Sequence, residues 1–334
     1  MRAASVALLL IVLTALSPAP AGAADNGEWS VKPADSAITP RAAFRLPAHP
    51  GTTLSDRAVV SNTTDKDLTF RLYVADAHNT ERDGGLAVRG VEETQRDVGA
   101  WGRPERDVIT VPPRSAVTVG ITLRIPRDAS PGDHVGALVA VDERVRPGTG
   151  SRLGVQRGVG ARIYLRVDGP ERPGVTVEDV RFDARNPSIP WTGAAESTVS
   201  YTLRNTGNVN LDPRVSVHVG GVYLGGPAER RLTNVPAELL PGQKVRLSAS
   251  WPGAPLAGWG DVAVTATADG SRGSGSDGFL EVPWFLVGCL ALLSAAGMTV
   301  LRRRRRRGAT PAAEARSAAQ PEPAAPAARP ADPE

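Results

Sequence analysis

The chain has 334 residues, of which 39 are basic and 35 acidic, for a formal net charge of +4 at pH 7. Six consecutive arginines at positions 302 to 307 supply much of that positive charge. Residues 24 to 281 hold 27 Arg and 3 Lys against 31 acidic residues, a net charge of about −1. Because nucleic-acid binding needs a basic surface, this near-neutral body excludes a nucleic-acid-binding protein.

The only cysteine, Cys289, lies in an apolar stretch near the C-terminus. The residues before it can therefore form no disulfide, and metal sites built on thiolates are excluded for the same reason. The 35 Gly and 29 Pro residues, with few aromatic residues, are typical of a chain with many turns between short strands. We expect β domains that depend on their apolar cores for stability.

Residues 1 to 23 have the pattern of a secretory signal peptide. Arg2 precedes an apolar run from Ala4 to Leu16, and Ala21-Gly22-Ala23 provides the small residues of a cleavage site. The apolar run is too short to span a bilayer. We therefore expect this segment to be removed and the rest of the chain to be exported.

Residues 24 to 168 are predicted to form a first β-sandwich, because stretches rich in Val, Ile, Leu and Thr alternate with turn residues. The period of two from Val117 to Ile125 predicts a strand with one buried and one solvated face. The predicted strands are Arg57 to Ser61, Leu68 to Val74, Val108 to Val111, Ala116 to Ile125, Ala137 to Val141 and Ile163 to Val167.

Residues 169 to 174 are rich in Gly and Pro and are predicted to be a linker. The strand pattern then restarts, which predicts a second immunoglobulin-like β-sandwich over residues 175 to 267. Its predicted strands are Val175 to Phe182, Ser197 to Arg204, Arg214 to Val219, Lys244 to Trp251 and Asp261 to Thr267.

Two local parallels indicate an internal repeat. A strand ends at Asn62 in the first half and at Asn205 in the second, each followed by Thr, and Pro112-Pro113 precedes a strand as Pro241-Gly242 does. The predicted fold class is therefore all-β, with two tandem antiparallel immunoglobulin-like β-sandwich domains and one C-terminal transmembrane helix.

The C-terminal part is predicted to anchor the chain in a membrane. Residues 268 to 281, rich in Gly and Ser, are predicted to be a flexible stalk, and residues 282 to 301 form an uncharged stretch long enough to span a bilayer. A block of arginines at a span is retained in the cytoplasm, which predicts a single-pass type I protein with an extracellular ectodomain. The topology residues are Arg302, Arg303, Arg304, Arg305, Arg306 and Arg307, at the start of a basic, Ala- and Pro-rich cytoplasmic tail over residues 302 to 334.

No motif in the sequence points to catalysis or to a cofactor. The four histidines are scattered, and neither a Gly-x-Ser-x-Gly elbow nor a Ser-x-x-Lys motif occurs. We predict no catalytic, cofactor-binding or metal-binding residues. An alternative at one loop is a calcium site made of Asp76, Asn79, Glu81 and Asp83, although their spacing is not that of a known calcium loop.

Two stretches resemble the peptidoglycan-binding domain of the WxL-interacting protein family: residues 131 to 140, PGDHVGALVA, and residues 158 to 165, GVGARIYL. Val31-Lys32-Pro33, Asn62-Thr63, Asp76 and Val111-Pro112-Pro113 occur in the order shown by that family, and the resemblance covers about residues 28 to 168. It implies a secreted protein with an immunoglobulin-like peptidoglycan-binding domain, a second β domain for host or partner binding, one transmembrane helix and a basic tail. It carries no fixed set of ligand-binding residues.

The expected function is thus that of a non-enzymatic cell-surface protein of bacteria that binds peptidoglycan or another cell-wall polymer, with a secreted surface protein as a further partner. The alternatives are an accessory or anchoring subunit for another secreted protein and an unrecognised cell-wall hydrolase. Trp101 is the candidate ligand contact, because planar side chains stack on sugar faces; the other interpretation is that Trp101 closes the end of the core.

Overall fold

The computed structural model describes residues 26–35, 40–144, 146–147, 154–185, 196–224, 229–252 and 257–308. The predicted signal peptide and the tail beyond residue 308 lie outside these ranges. The first domain contains β1 (Trp29–Pro33), β2 (Phe44–Ala48), β3 (Thr53–Asn62), β4 (Leu68–Asn79), β5 (Leu86–Val88), α1 (Val98–Trp101), β6 (Gly102–Pro104), β7 (Val108–Val111), β8 (Ala116–Arg124), β9 (Gly132–Asp142), β10 (Arg146–Pro147), β11 (Gly154–Val155) and β12 (Gly158–Val167).

Two sheets face each other across the core of the first domain. One has the strand order β1-β3-β8-β6, and the other has the order β2-β12-β9-β4 with β5 and β7 paired to β4. The alternation predicted for β8 is confirmed, because Val119, Ile121 and Leu123 point into the core. Pairing is antiparallel except for β2, which runs parallel to β12 and covers the outer edge of that strand.

The second domain repeats this arrangement. It contains β13 (Val175–Arg185), β14 (Glu196–Asn205), β15 (Arg214–Leu224), β16 (Glu229–Leu232), β17 (Lys244–Pro252), β18 (Ala257–Ala268) and β19 (Ser271–Glu281). Its sheets have the orders β13-β14-β17 and β16-β15-β18-β19. These orders match β1-β3-β8 and β7-β4-β9-β12 of the first domain strand for strand, so the protein is all-β with two immunoglobulin-like sandwiches.

Equivalent asparagines hold equivalent turns in the two domains. The side chain of Asn62, at the end of β3, donates to the carbonyls of Lys66, Val111 and Pro112. Asn205, at the end of β14, donates in the same way to Val209 and Leu239. Both side chains are almost fully buried and join their own turn to the segment before the paired strand. The internal repeat predicted from Asn62 and Asn205 is therefore present in the fold.

The prediction of a flexible stalk over residues 268 to 281 is wrong. β19 pairs with β18 from Ser271 to Glu281, and the two strands are joined by Asp269 and Gly270, whose φ angles of 45° and 78° are those of a tight hairpin turn. The glycines allow close packing rather than flexibility. A Cβ atom on Gly273 would lie 2.4 Å from the carbonyl oxygen of Val175 on β13. The dipeptide Asp-Gly between two stretches of alternating residues is a hairpin signal, and it outweighs the Gly- and Ser-rich composition of this segment.

Hydrogen bonds connect the two domains, joining residues before the predicted linker to residues after it. The side chain of Asn208 donates to the carbonyls of Pro131 and Pro170. Asp133 accepts from the backbone N–H of Asn210, and the Asn79 amide donates to the carbonyl of Glu238. These bonds hold the second domain against the end of the first.

The last element is α2 (Trp284–Gly308), which begins three residues after β19 ends. This helix starts two residues later than the predicted span and continues through the arginines. It is long and apolar enough to cross a membrane.

Candidate ligand-binding groove

A groove lies on the outer face of the first domain, over strands β4, β9 and β12. The core side of these strands is filled by residues such as Leu72, Leu138 and Ala161, so the residues between them point outward. The strand register places the outward residues in two rows: Tyr73, Val139 and Gly160, then Ala75, Ala137 and Arg162. Of these, Tyr73, Ala137, Val139 and Gly160 line the groove, so its floor is mostly apolar.

β5 and the loop after it form one wall. Leu86, Val88 and Val91 line this side, and Glu92 and Glu93 add negative charge to it. On the opposite side the groove is bounded by β12, with Gly158 and Gly160 toward one end and Arg162 toward the other. The groove has a volume of about 640 Å³, within the range of ligand sites. It thus offers an apolar floor with charged side chains at its edges.

Two glycines keep the β12 side of the groove low. Gly158 and Gly160 alternate with core residues and face outward beside Val139 and Val141. A Cβ atom on Gly160 would lie 3.3 Å from Cγ2 of Val139 and 3.4 Å from Cβ of Ala137. A larger side chain at this position would project into the space where a ligand would lie.

Asp76 fixes the loop that forms the wall. Its carboxylate is buried and accepts backbone hydrogen bonds from Arg96 at 2.5 Å and Gly99 at 2.7 Å, and weaker ones from Asp97. Its own backbone N–H donates to the side chain of Gln95 at 2.7 Å. One buried carboxylate thus closes the loop onto the end of β4.

Three of the four residues of the alternative calcium site make other contacts. Asp76 binds the loop just described, Asn79 bonds across the domain boundary, and Asp83 accepts from the N–H of Gly85 within its own turn. Among the residues that the structure describes, no group of three His, Cys, Asp or Glu side chains is placed to hold a metal. Asp76, Asn79 and Asp83 therefore have structural contacts at separate places.

Trp101, the ligand contact proposed from the sequence, lies at the end of α1 rather than in an open loop. It is partly buried, packs against the core of the first domain, and does not line the groove. Its ring centroid is 4.8 Å from that of His134. This position fits the alternative interpretation that Trp101 closes one end of the core.

His134, beside Trp101, is held between two acceptors. Its Nδ1 lies 2.7 Å from the Asp97 carboxylate, and its Nε2 lies 2.8 Å from the carbonyl oxygen of Ser130. Burial alone would lower the pKa of His134, but the hydrogen bond and the charge of Asp97 outweigh burial, so the pKa is raised above its ordinary value. The protonated imidazolium satisfies both acceptors.

We expect the proton on His134 to stabilise the folded protein at acidic pH. Because the pKa is higher in the folded than in the unfolded chain, this contribution is complete below the unfolded pKa of about 6.5 and is lost as the pH rises through the folded value. A His134→Gln variant should therefore differ most from the wild type at acidic pH. Urea unfolding of both proteins from about pH 5 to about pH 9 measures this difference; a difference independent of pH would contradict the protonated state.

Comparison with known proteins gives no family for the chain. No protein-family model and no curated protein matches it. The class 5 fimbriae chaperone CfaA is similar at 9% identity and a TM-score of 0.35, over 72% of this chain and 97% of its own. The YadV chaperone is similar at 10% identity and a TM-score of 0.32, over 75% and 100%. A Salmonella enterica structure of the SafA pilin with the SafB chaperone is similar at 13% identity and a TM-score of 0.32, over 71% and 93%. These identities and TM-scores are too low to indicate a function.

Proposed function

We propose that this chain is a non-enzymatic, single-pass membrane protein that binds peptidoglycan in the groove of its first domain. The main support is the pairing of two strands. Residues 131 to 140 and 158 to 165 resemble a peptidoglycan-binding domain, and they pair with each other as β9 and β12. Their outward residues form most of the groove floor. The resemblance and the groove thus fall on the same surface.

The chemistry of the groove suits a cell-wall polymer. Peptidoglycan combines sugar rings, which have apolar faces, with short peptides that carry amino and carboxylate groups. The ring of Tyr73 and the apolar floor can contact a sugar face, while Glu92, Glu93 and Arg162 can bind peptide charges of either sign. The proposed anchor is α2, with the arginines from Arg302 onward in the cytoplasm and both sandwiches outside.

Filling the groove tests this proposal. We expect Gly160→Leu to weaken sedimentation of the ectodomain with purified sacculi by about tenfold or more, since the new side chain occupies the floor. Thr118→Leu is the matched control, because Thr118 is exposed on the opposite sheet. Both variants should melt near the wild-type temperature. Wild-type binding by Gly160→Leu would refute the groove as the site.

The same preparations separate the alternatives. A cell-wall hydrolase would release dye from labelled sacculi, whereas the proposed binder sediments with them and releases none. An accessory subunit would bind another secreted protein, and it would not sediment with sacculi when that protein is absent. Each alternative therefore predicts a result that the proposed function does not.

A further inference from the structure

The outward face of the sheet β15-β18-β19 changes character along its length. Strand register places its outward residues in rows across the three strands. Each row has one residue from β15, one from β18 and one from β19. In order along the sheet the five rows are Arg214/Thr267/Arg272; Ser216/Thr265/Ser274; His218/Ala263/Ser276; Gly220/Asp261/Gly278; and Val222/Trp259/Leu280. Large apolar side chains thus appear only at one end.

These apolar side chains are open to solvent in the isolated chain. Trp259 is 61% exposed, Leu280 is 70% exposed and Val222 is 64% exposed, and Leu224, two residues beyond Val222 on the same face, is 69% exposed. Val222, Trp259 and Leu280 are direct neighbours across the strands, so they form one surface rather than scattered residues. We call Val222, Leu224, Trp259 and Leu280 the apolar patch. Contiguous exposed apolar surface is typical of interaction sites.

The apolar patch lies at the end of the sheet from which the predicted span begins. β19 ends at Glu281 and α2 begins at Trp284, so only Val282 and Pro283 lie between them. At about 3.4 Å per residue, Leu280 can be no more than about 14 Å from Trp284. Trp284 is itself 74% exposed and stands at the start of the apolar helix. A bilayer that surrounds α2 therefore begins beside the patch.

We propose that the apolar patch docks into the outer interface of the lipid bilayer and seats the second domain directly on the membrane. The inference rests on the membrane anchoring in the proposed function. The interface favours Trp and accepts partly buried apolar side chains. The polar and charged rows farther along the face remain in water, which fits a sheet that meets the membrane by its end. Because hydrogen bonds join the two domains, the groove would be held at a set distance from the membrane rather than on a flexible stalk.

Tryptophan quenching by lipid tests the docking. The full chain is reconstituted in vesicles of phosphatidylcholine and phosphatidylglycerol whose acyl chains are brominated near the headgroups. Trp29 and Trp251 are fully buried in protein cores and are not expected to be quenched. We expect Trp259→Phe and Trp284→Phe each to lower the quenched fraction of the emission, and the double variant to lower it further than either. Both positions are exposed, so the substitutions should not change the melting temperature.

The variants distinguish failure of the docking from failure of the anchor. If Trp284→Phe lowers the quenched fraction and Trp259→Phe does not, the span is inserted but the patch does not touch lipid, and the inference is overturned. Density-dependent disulfide cross-linking of the vesicle-bound protein through Leu280→Cys, in a chain whose native cysteine is removed by Cys289→Ser, would then identify a second copy as the occupant. If neither substitution changes the quenching, the anchoring itself is wrong and the docking falls with it. Neither result bears on sacculus binding by the groove.

Discussion

Asp76→Ala is expected to destabilise the first domain by about 3 to 5 kcal/mol, because it removes the buried acceptor of three backbone N–H groups. The N–H of Gly99 would remain buried without its acceptor. Urea unfolding of the ectodomain measures the loss. Asp107→Ala is the control, since Asp107 lies in the same domain, is exposed and should change the free energy of unfolding by less than about 0.5 kcal/mol.

This substitution also tests how the groove is built. The loop that Asp76 closes carries Glu92 and Glu93, so loss of the carboxylate should release one wall. Sacculus binding at a temperature where the variant is still folded should therefore weaken as well. A fall in stability of less than about 1 kcal/mol would show that the loop is held by other contacts.

Gly273→Val is expected to destabilise the second domain by about 3 kcal/mol, because its Cβ would overlap the carbonyl oxygen of Val175. Ser274→Val is the matched control: Ser274 is the next residue on β19, and its side chain is exposed. Thermal or urea unfolding of both variants gives the comparison. A flexible stalk would tolerate either substitution equally, so equal stabilities would contradict the assignment of residues 271 to 281 to a strand.

Alternation in the sequence was sufficient to locate most of the long strands. In β8 the period of two assigns Val119, Ile121 and Leu123 to the core, and the structure places them there. β19 escaped prediction because its inward positions near β13 are glycines, which look like a linker by composition. Glycine is needed at Gly273 because the strand packs against the carbonyl of Val175, which lies almost a hundred residues earlier in the chain. This contact exists only in the folded protein.

The groove was also missed, although β9 carried a signal. Residues 135 to 141 are Gly, Ala, Val and Leu, and a strand that is apolar on both faces is expected to be covered on both. Ala137 and Val139, which point away from the core and lie at the bottom of the groove, are indeed buried. The position of Trp101 could not be read in this way, because the short helix that turns its ring toward His134 follows a loop closed by distant Asp76. The sequence alone therefore identified Trp101 as an aromatic residue but could not predict which residues surround it.

If peptidoglycan occupies the groove over β4, β9 and β12, soluble fragments of it should change the surroundings of the groove residues. The most direct measurement is an amide chemical-shift titration of the isotope-labelled ectodomain with soluble muropeptides of defined structure. We expect the shifts to concentrate at Tyr73, Val139, Gly160 and the loop around Glu93, and we expect Gly160→Leu to remove them. Saturable shifts confined to other surfaces, or no shifts at muropeptide concentrations that compete with sacculi, would contradict binding in the groove.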